Sequence, residues 1–442
     1  MKNFVLISAL LVSSAHAGGF DSLNNPATMG NYNYRFDSLP TSGNVDDAHM
    51  PWSDNYWESD WGGISLRWNT LTQEQLDPEG TETLDKFEQF RYTPPTREQV
   101  KAMSKEALTK LSPAEKYDIL MSRYDYPTVT AERKRTSPTM EDWMGICHGW
   151  VPAAINNPEP APTEATNKEG VVVPFGSTDV KALLSYYYGV PAYDYARGDR
   201  KLIRNGNTFQ YLDALDGTDI KKWVSLATGS TVFNNGYSVN LETTGDAGRC
   251  KDPVFARPYG SEERCFASLT FGGTVETLNV VGQVGQRPSR EGRMGGVSAL
   301  TDPNPGAFHI VMANQLGIMH RSFVGNINKK LKNAQIWNQP ITGFSTTVDS
   351  YRQGRRGGKV KVTTTLTYVS EIAQMWEPVV GTPKQRFEDM TFSYTLDLDE
   401  SGRIVGGEWK DRSYHPSFIW KHDKIAIKGY MSKLNEIYHP RF

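Results

Sequence analysis

The chain has 442 residues, of which 38% are hydrophobic and 11% aromatic, enough to build a large globular core. Its formal net charge of −2 gives no electrostatic case for nucleic acid or an anionic membrane as partner. The basic clusters Arg133-Lys134-Arg135, Lys329-Lys330 and Arg355-Arg356 read as solvated loops.

The chain opens with the pattern of a signal peptide. Lys2 supplies the positive end, Phe4 to Val12 a short apolar run, and Ala15-His16-Ala17 a small-x-small cleavage site. The run is too short for a membrane span, and no later stretch reaches about 18–20 apolar residues. A leader over residues 1–17 implies a secreted or periplasmic protein whose mature chain starts near Gly18. At about 100–200 residues per domain, the remainder makes two or three domains.

Residues 18–70 look irregular, with Trp52, Trp57, Trp61 and Trp68 crowded together. Such tryptophans can form a sugar-binding platform; pinning a loop-rich segment to a core is the better reading. Residues 71–121 are helical in character. Thr96-Arg-Glu-Gln99 is a capping box, and Ser112-Pro113-Ala-Glu115 is another with proline at the first helical position. Tyr117, Leu120 and Met121 give the second helix an apolar stripe. Asp125-Tyr126-Pro127 breaks the pattern, and a polar stretch through Arg133-Lys134-Arg135 ends at Ser137-Pro138. Residues 18–137 are therefore set apart as a Trp-rich and helical N-terminal region, either an accessory domain or a pro-segment. Residues 138–442 form the region expected to carry the chemistry.

Asn156 to Gly170 reads as a loop and Val171 to Phe175 as a short strand. Ser177 can cap a helix over residues 178–188. The C-terminal third changes period. Val360, Val362, Leu366 and Tyr368 alternate with polar residues, and so do Phe392, Tyr394, Leu396 and Leu398, which is the signature of antiparallel strands. Helices early and strands late give an α+β fold class. Asp397, Asp399 and Ser401-Gly402 faintly resemble a calcium loop, but a hairpin turn explains them better. There is no metal cluster; calcium stays open as the one candidate cofactor.

Three cysteines are present, and export favours pairing. A Cys250–Cys265 disulfide would close a loop of about 15 residues, worth about 3 kcal/mol by loop entropy. Cys147 is then the odd thiol, either buried and inert or used. It lies in Met144-Gly-Ile-Cys-His-Gly-Trp-Val-Pro-Ala-Ala154. Flanking glycines would let a substrate backbone approach. Pro152 implies a clean helix starting no earlier than Trp150, with Gly149 as its cap, so that Cys147 sits about two residues ahead of it or on a kinked first turn. A thiol becomes a nucleophile as its thiolate, which a helix N-terminus or a nearby imidazole favours.

Of seven histidines in the mature chain, His309 is the best base. It sits at the mouth of an apolar strand, Gly306-Ala-Phe-His-Ile-Val-Met312, 162 residues after Cys147 (309 − 147), near the roughly 130–150 of the papain arrangement. Asn338, in Ile336-Trp-Asn-Gln-Pro340, is the candidate that orients the imidazole, with Trp337 shielding the bond.

Gln335-Ile-Trp-Asn-Gln-Pro-Ile-Thr-Gly-Phe344 resembles the WNQP-x-x-GF motif of the transglutaminase elicitor family, known from secreted oomycete proteins and marine bacterial relatives. The segments around Cys147 and His309 look like the same family. The resemblance implies a papain-like core and protein-glutamine γ-glutamyltransferase activity on glutamine- and lysine-bearing protein substrates. Cys147 would be the nucleophile, His309 the base and Asn338 the orienting residue. Papain's oxyanion glutamine is replaced here by Glu141, so the donor is sought in the Cys147 N–H or the indoles of Trp143 and Trp150. A cysteine peptidase or deamidase is the alternative enzyme, and a non-catalytic wall-binding protein the alternative class.

Overall fold

The computed structural model describes residues 20, 24–77, 80, 85–189, 303–327, 335–354, 357–411, 414–427 and 429–441, with Gln353 and short strands between 202 and 301 as backbone alone. The leader, the side chains of Cys250 and Cys265, and the clusters at 329–330 and 355–356 lie outside the described residues.

The architecture is helix packed on antiparallel sheet. Its centre is an eight-stranded sheet built from β1 (Ser42–Asn44), β4 (Val297–Thr301), β5 (Phe323–Asn326), β6 (Asn338–Gly354), β7 (Gly357–Val369), β8 (Phe387–Leu398), β9 (Ile404–Trp409) and β10 (Phe418–His422). The order is β4-β10-β5-β6-β7-β8-β9, with β1 pairing alongside β6. A separate hairpin joins β2 (Thr163–Thr166) to β3 (Val172–Phe175). The alternation in β7 and β8 appears as expected: Val360, Val362, Leu366, Tyr394 and Leu396 are buried. The turn into β9 is a hairpin. Asp399 Oδ1 accepts from the Ser401 N–H at 2.8 Å and the Arg403 N–H at 3.0 Å, and Gly402 takes φ +79°.

The sheet separates two hydrophobic cores, and strand alternation shows which residue faces which. Val324, Trp420 and Val369 belong to the first core; their neighbours Phe323, Ile419 and Tyr368 belong to the second. The first core holds α1 (Arg97–Ala102), α2 (Pro113–Leu120), α3 (Pro127–Arg135), α4 (Cys147–Asn156) and α5 (Ser177–Gly189). The second holds α6 (Pro305–Met312) and residues Met29 to Val45.

Both capping boxes form, at Thr96 and at Ser112. Helix α2 is buried on every side, including Glu115, Lys116 and Asp118, rather than along one stripe. Lys116 pairs with Asp179 of α5 at 2.7 Å, both side chains fully buried, and Trp68 Nε1 donates to the same carboxylate at 2.8 Å. Trp52, Trp57 and Trp68 are thus core residues, not a surface platform. Arg133-Lys134-Arg135 form the last turn of α3 instead of a loop, with the Arg133 guanidinium 4.2 Å over the Tyr92 ring and Arg135 paired to buried Glu132.

Gly306 to Met312 is also helical, not a strand. Asn304 caps α6 by accepting from the Gly306 N–H at 2.9 Å, and Pro305 occupies the first position. Every residue of α6 is buried, so its apolar run shows no period that would separate helix from strand.

Candidate functional site

Helix α4 begins at Cys147 itself. The Ile146 N–H donates to Tyr56 O at 2.7 Å, and the Ile146 carbonyl accepts from the Gly149 and Trp150 N–H groups at 2.8 and 2.9 Å. Pro152 therefore stands inside the helix, not in its first turn. Its ring forfeits one backbone bond at a cost of roughly 3 kcal/mol, which the full burial of Trp150, Val151 and Ala153 offsets. The start at Cys147 places the thiol at the positive end of the helix.

The flanking glycines accommodate the protein's own backbone rather than a substrate. A Cβ at Gly145 would lie 2.4 Å from Tyr56 O, and one at Gly149 would lie 2.1 Å from Ser185 O. Gly149 is where α4 and α5 touch. Gly149→Ala should destabilise the fold by about 3 kcal/mol or more, the upper end of overpacking costs, because the clashing atoms are backbone. A urea midpoint equal to wild type would show that the helices can separate freely.

Cys147 is 6% exposed. Asn338 Nδ2 donates to its Sγ at 3.4 Å, and the thiol reaches the Ile336 carbonyl at 3.8 Å. Burial pushes the thiol pKa up. The Asn338 side-chain amide opposes that most strongly, helped by the backbone N–H groups of Asn338 and His148, while the Glu371 charge adds to the rise. Asn338 opens β6, and its Oδ1 accepts from Trp420 Nε1 of β10 at 2.9 Å.

The structure thus brings Cys147 and Asn338 together, but not His309. His309 lies in the second core, its ring against Phe36 and Tyr394, with Nδ1 2.8 Å from Tyr394 Oη. Tyr394 Oη also meets Thr364 Oγ1 at 2.9 Å, and Thr364 pairs with Thr346 of β6. Thr346 is eight residues along β6 from Asn338 (346 − 338), on the order of 25 Å at about 3.3 Å per residue. Sheet and distance both separate the imidazole from the sulfur. Burial alone pulls His309 down to about 4. Asn338 consequently orients no histidine here; it touches the sulfur directly.

The other candidates fall as follows. His148 Nε2 is 3.0 Å from Gly189 O, which occupies that end of its ring. Trp143 is half-buried in the turn closed by the Met144 N–H to Glu141 O at 3.0 Å. Trp150 is fully buried, and its Nε1 has no hydrogen-bond partner among the described residues. Trp337 packs edge-on to Tyr56 at 5.4 Å, and its Nε1 donates to Gln335 Oε1 at 3.2 Å.

Glu371 is the carboxylate that the sequence did not flag. It follows β7 between Val369 and Ala373, both in the first core, and it is buried. Gln339 Nε2 donates to Glu371 Oε1. Burial raises the carboxyl from 4.5 to about 7. Its only trace in the sequence is a single charge in an otherwise uncharged stretch after a strand, Val369-Ser-Glu-Ile-Ala-Gln374. Trp420, inside Phe418-Ile-Trp420, leaves none. No group of three or more His, Cys, Asp or Glu among the described residues could hold a metal ion, and no helix among them is long and apolar enough to cross a membrane.

The transglutaminase elicitor family model matches the chain over residues 30–196 and 289–428. These segments contain Cys147, His309, Asn338, Glu371 and Trp420. Comparison with curated protein sequences finds no match. The fold is similar to the crystal structure of the GP42 transglutaminase from Phytophthora sojae, at 17% sequence identity over 92% of this chain and 93% of that one, with a TM-score of 0.50. At that identity the likeness speaks to fold alone.

Proposed function

We propose that this chain, which belongs to the transglutaminase elicitor family, is an exported protein-glutamine γ-glutamyltransferase with a papain-like catalytic core. The observation that carries the reading is the buried Cys147 thiol at a helix N-terminus, met by Asn338 of the WNQP segment. Cys147 Sγ attacks the side-chain carbonyl of a substrate glutamine. The thiol proton passes to Glu371 and then to the departing nitrogen, so a thioester forms and ammonia leaves. A neutral lysine amine attacks the thioester, its proton passes by Glu371 to the sulfur, and an isopeptide bond remains. Glu371 takes the base role in place of His309 because its charge acts on the Cys147 thiol and burial raises its carboxyl to about 7.

Trp337, Tyr56 and Trp150 surround this chemistry with apolar surface. Such surroundings favour an amine over water as the second acceptor, which supports this reading over a peptidase or deamidase. The test is incorporation of a fluorescent primary amine into a glutamine-bearing protein, with calcium titrated in the same assay. Ammonia release without amine incorporation would assign the deamidase reading instead.

Residues 18–137 act as an accessory region that stays with the catalytic region 138–442. The support is the single core shared by Trp52, Trp57, Tyr117, Cys147 and Trp150. Limited proteolysis at Arg133-Lys134-Arg135 should leave the two pieces co-eluting, without a gain in specific activity. A gain after cleavage would mark residues 18–137 as a pro-segment.

A further inference from the structure

The amide of Asn338 has a donor end and an acceptor end, and which one faces Cys147 decides what it can do. An indole N–H only donates. Trp420 Nε1 lies 2.9 Å from one end of that amide, so this end must be the oxygen, and the NH2 group must face Sγ, 3.4 Å away. The orientation follows from the chemistry of tryptophan.

We propose, on the transglutaminase reading above, that Asn338 is the donor that holds the Cys147 thiolate and then the oxyanion, and that Trp420 is the positioning residue that keeps the Asn338 amide turned for that task.

Three features support this. Trp420 is on β10 and Asn338 on β6, with β5 between them, a two-strand span of about 10 Å that the two side chains bridge together. Both residues are buried, Trp420 at 8% exposure and Asn338 at 3%, so water competes little for either bond. The alternative indole donor, Trp150, sits on the helix behind the thiol and reaches no acceptor among the described residues. In the reaction, the sulfur lone pair forms the S–C bond while the carbonyl π pair moves onto oxygen. The Asn338 N–H with the Cys147 backbone N–H at the helix N-terminus receives that charge. The pair returns to the carbonyl as the C–N bond breaks and ammonia leaves with the proton from Glu371.

The experiment is the pH dependence of iodoacetamide alkylation at Cys147, followed by mass spectrometry of its peptide, together with amine-transfer kinetics. The variants are Trp420→Phe, Asn338→Asp and Asn338→Ala, each checked for folding by circular dichroism. Trp420→Phe keeps the ring but loses the N–H. Its alkylation midpoint should move to higher pH, and kcat should fall about tenfold at unchanged KM. Asn338→Asp keeps the shape and still accepts from Trp420, but offers no donor to sulfur. It should fall with Asn338→Ala by about 100-fold in kcat, as loss of one oxyanion donor does. If Trp420→Phe does not fold, Asn338→Asp carries the test alone. A variant that melts earlier but keeps the wild-type alkylation profile and kcat would overturn the proposal. If the profiles shift as stated while even the wild type incorporates no amine, the thiolate assignment holds and the transglutaminase reading fails.

Discussion

Replacing Cys147 by alanine should abolish amine incorporation, lowering it by about three orders of magnitude or more, with the fold retained. Removing the nucleophile of a covalent enzyme leaves only the binding and charge-stabilising contributions, which explains a loss of that size. Cys147 is buried and small, and alanine fills most of its space. The near-ultraviolet circular dichroism of the Trp-rich core should therefore stay native, and an inactive variant could not be dismissed as unfolded. Wild type incubated with a glutamine substrate and no amine should accumulate a thioester that hydroxylamine cleaves; Cys147→Ala should accumulate none. Amine incorporation surviving in Cys147→Ala would remove the thiol from the mechanism, and no incorporation by wild type or variant would leave the non-catalytic class as the reading.

The parts that the sequence made legible are those governed by local rules. Capping boxes at Thr96 and Ser112 and the period-two pattern of β7 and β8 depend on residues near one another in the chain, and they appear where expected. Position across the fold is a different kind of fact. Residues 306–312 are uniformly apolar, and only the Asn304-Pro305 cap distinguished helix from strand. The face on which His309 falls is set by how α6 packs against β8 and β9, which no spacing between residues 147 and 309 encodes. Pro152 misled in the same way. Its local rule is sound, but the packing of Trp150 and Val151 overrides it and moves the helix start three residues earlier, onto the thiol itself. Asn338 was found by its motif and assigned the wrong neighbour, because its contacts to Cys147 and Trp420 span 191 and 82 residues of chain. Glu371 escaped notice because its raised carboxyl comes from burial, which its own sequence neighbours do not reveal.

Glu371→Gln should lower kcat/KM by about 100-fold or more, in the range general-base loss usually costs, and should change the shape of the pH profile. Burial raises the carboxyl to about 7, so it is ionised and able to take the thiol proton only above that pH. Wild-type activity should climb through about pH 7 for this reason. Glutamine cannot accept the proton, so the variant's residual activity should follow the titration of the thiol, which burial places on the alkaline side of its ordinary value. The sign separates this role from a purely electrostatic one. The Glu371 charge raises the Cys147 pKa, so removing it makes the thiolate easier to form. Were Glu371 only a neighbouring charge, Glu371→Gln would speed both alkylation and transfer above about pH 7, where the wild-type carboxylate is ionised. As the base, it should let alkylation keep or gain rate while transfer collapses. His309→Gln, across the sheet, should leave the limb near pH 7 in place even where it lowers stability. Movement of that limb in His309→Gln, with none in Glu371→Gln, would return the base role to the histidine and require the second core to open toward the thiol during turnover.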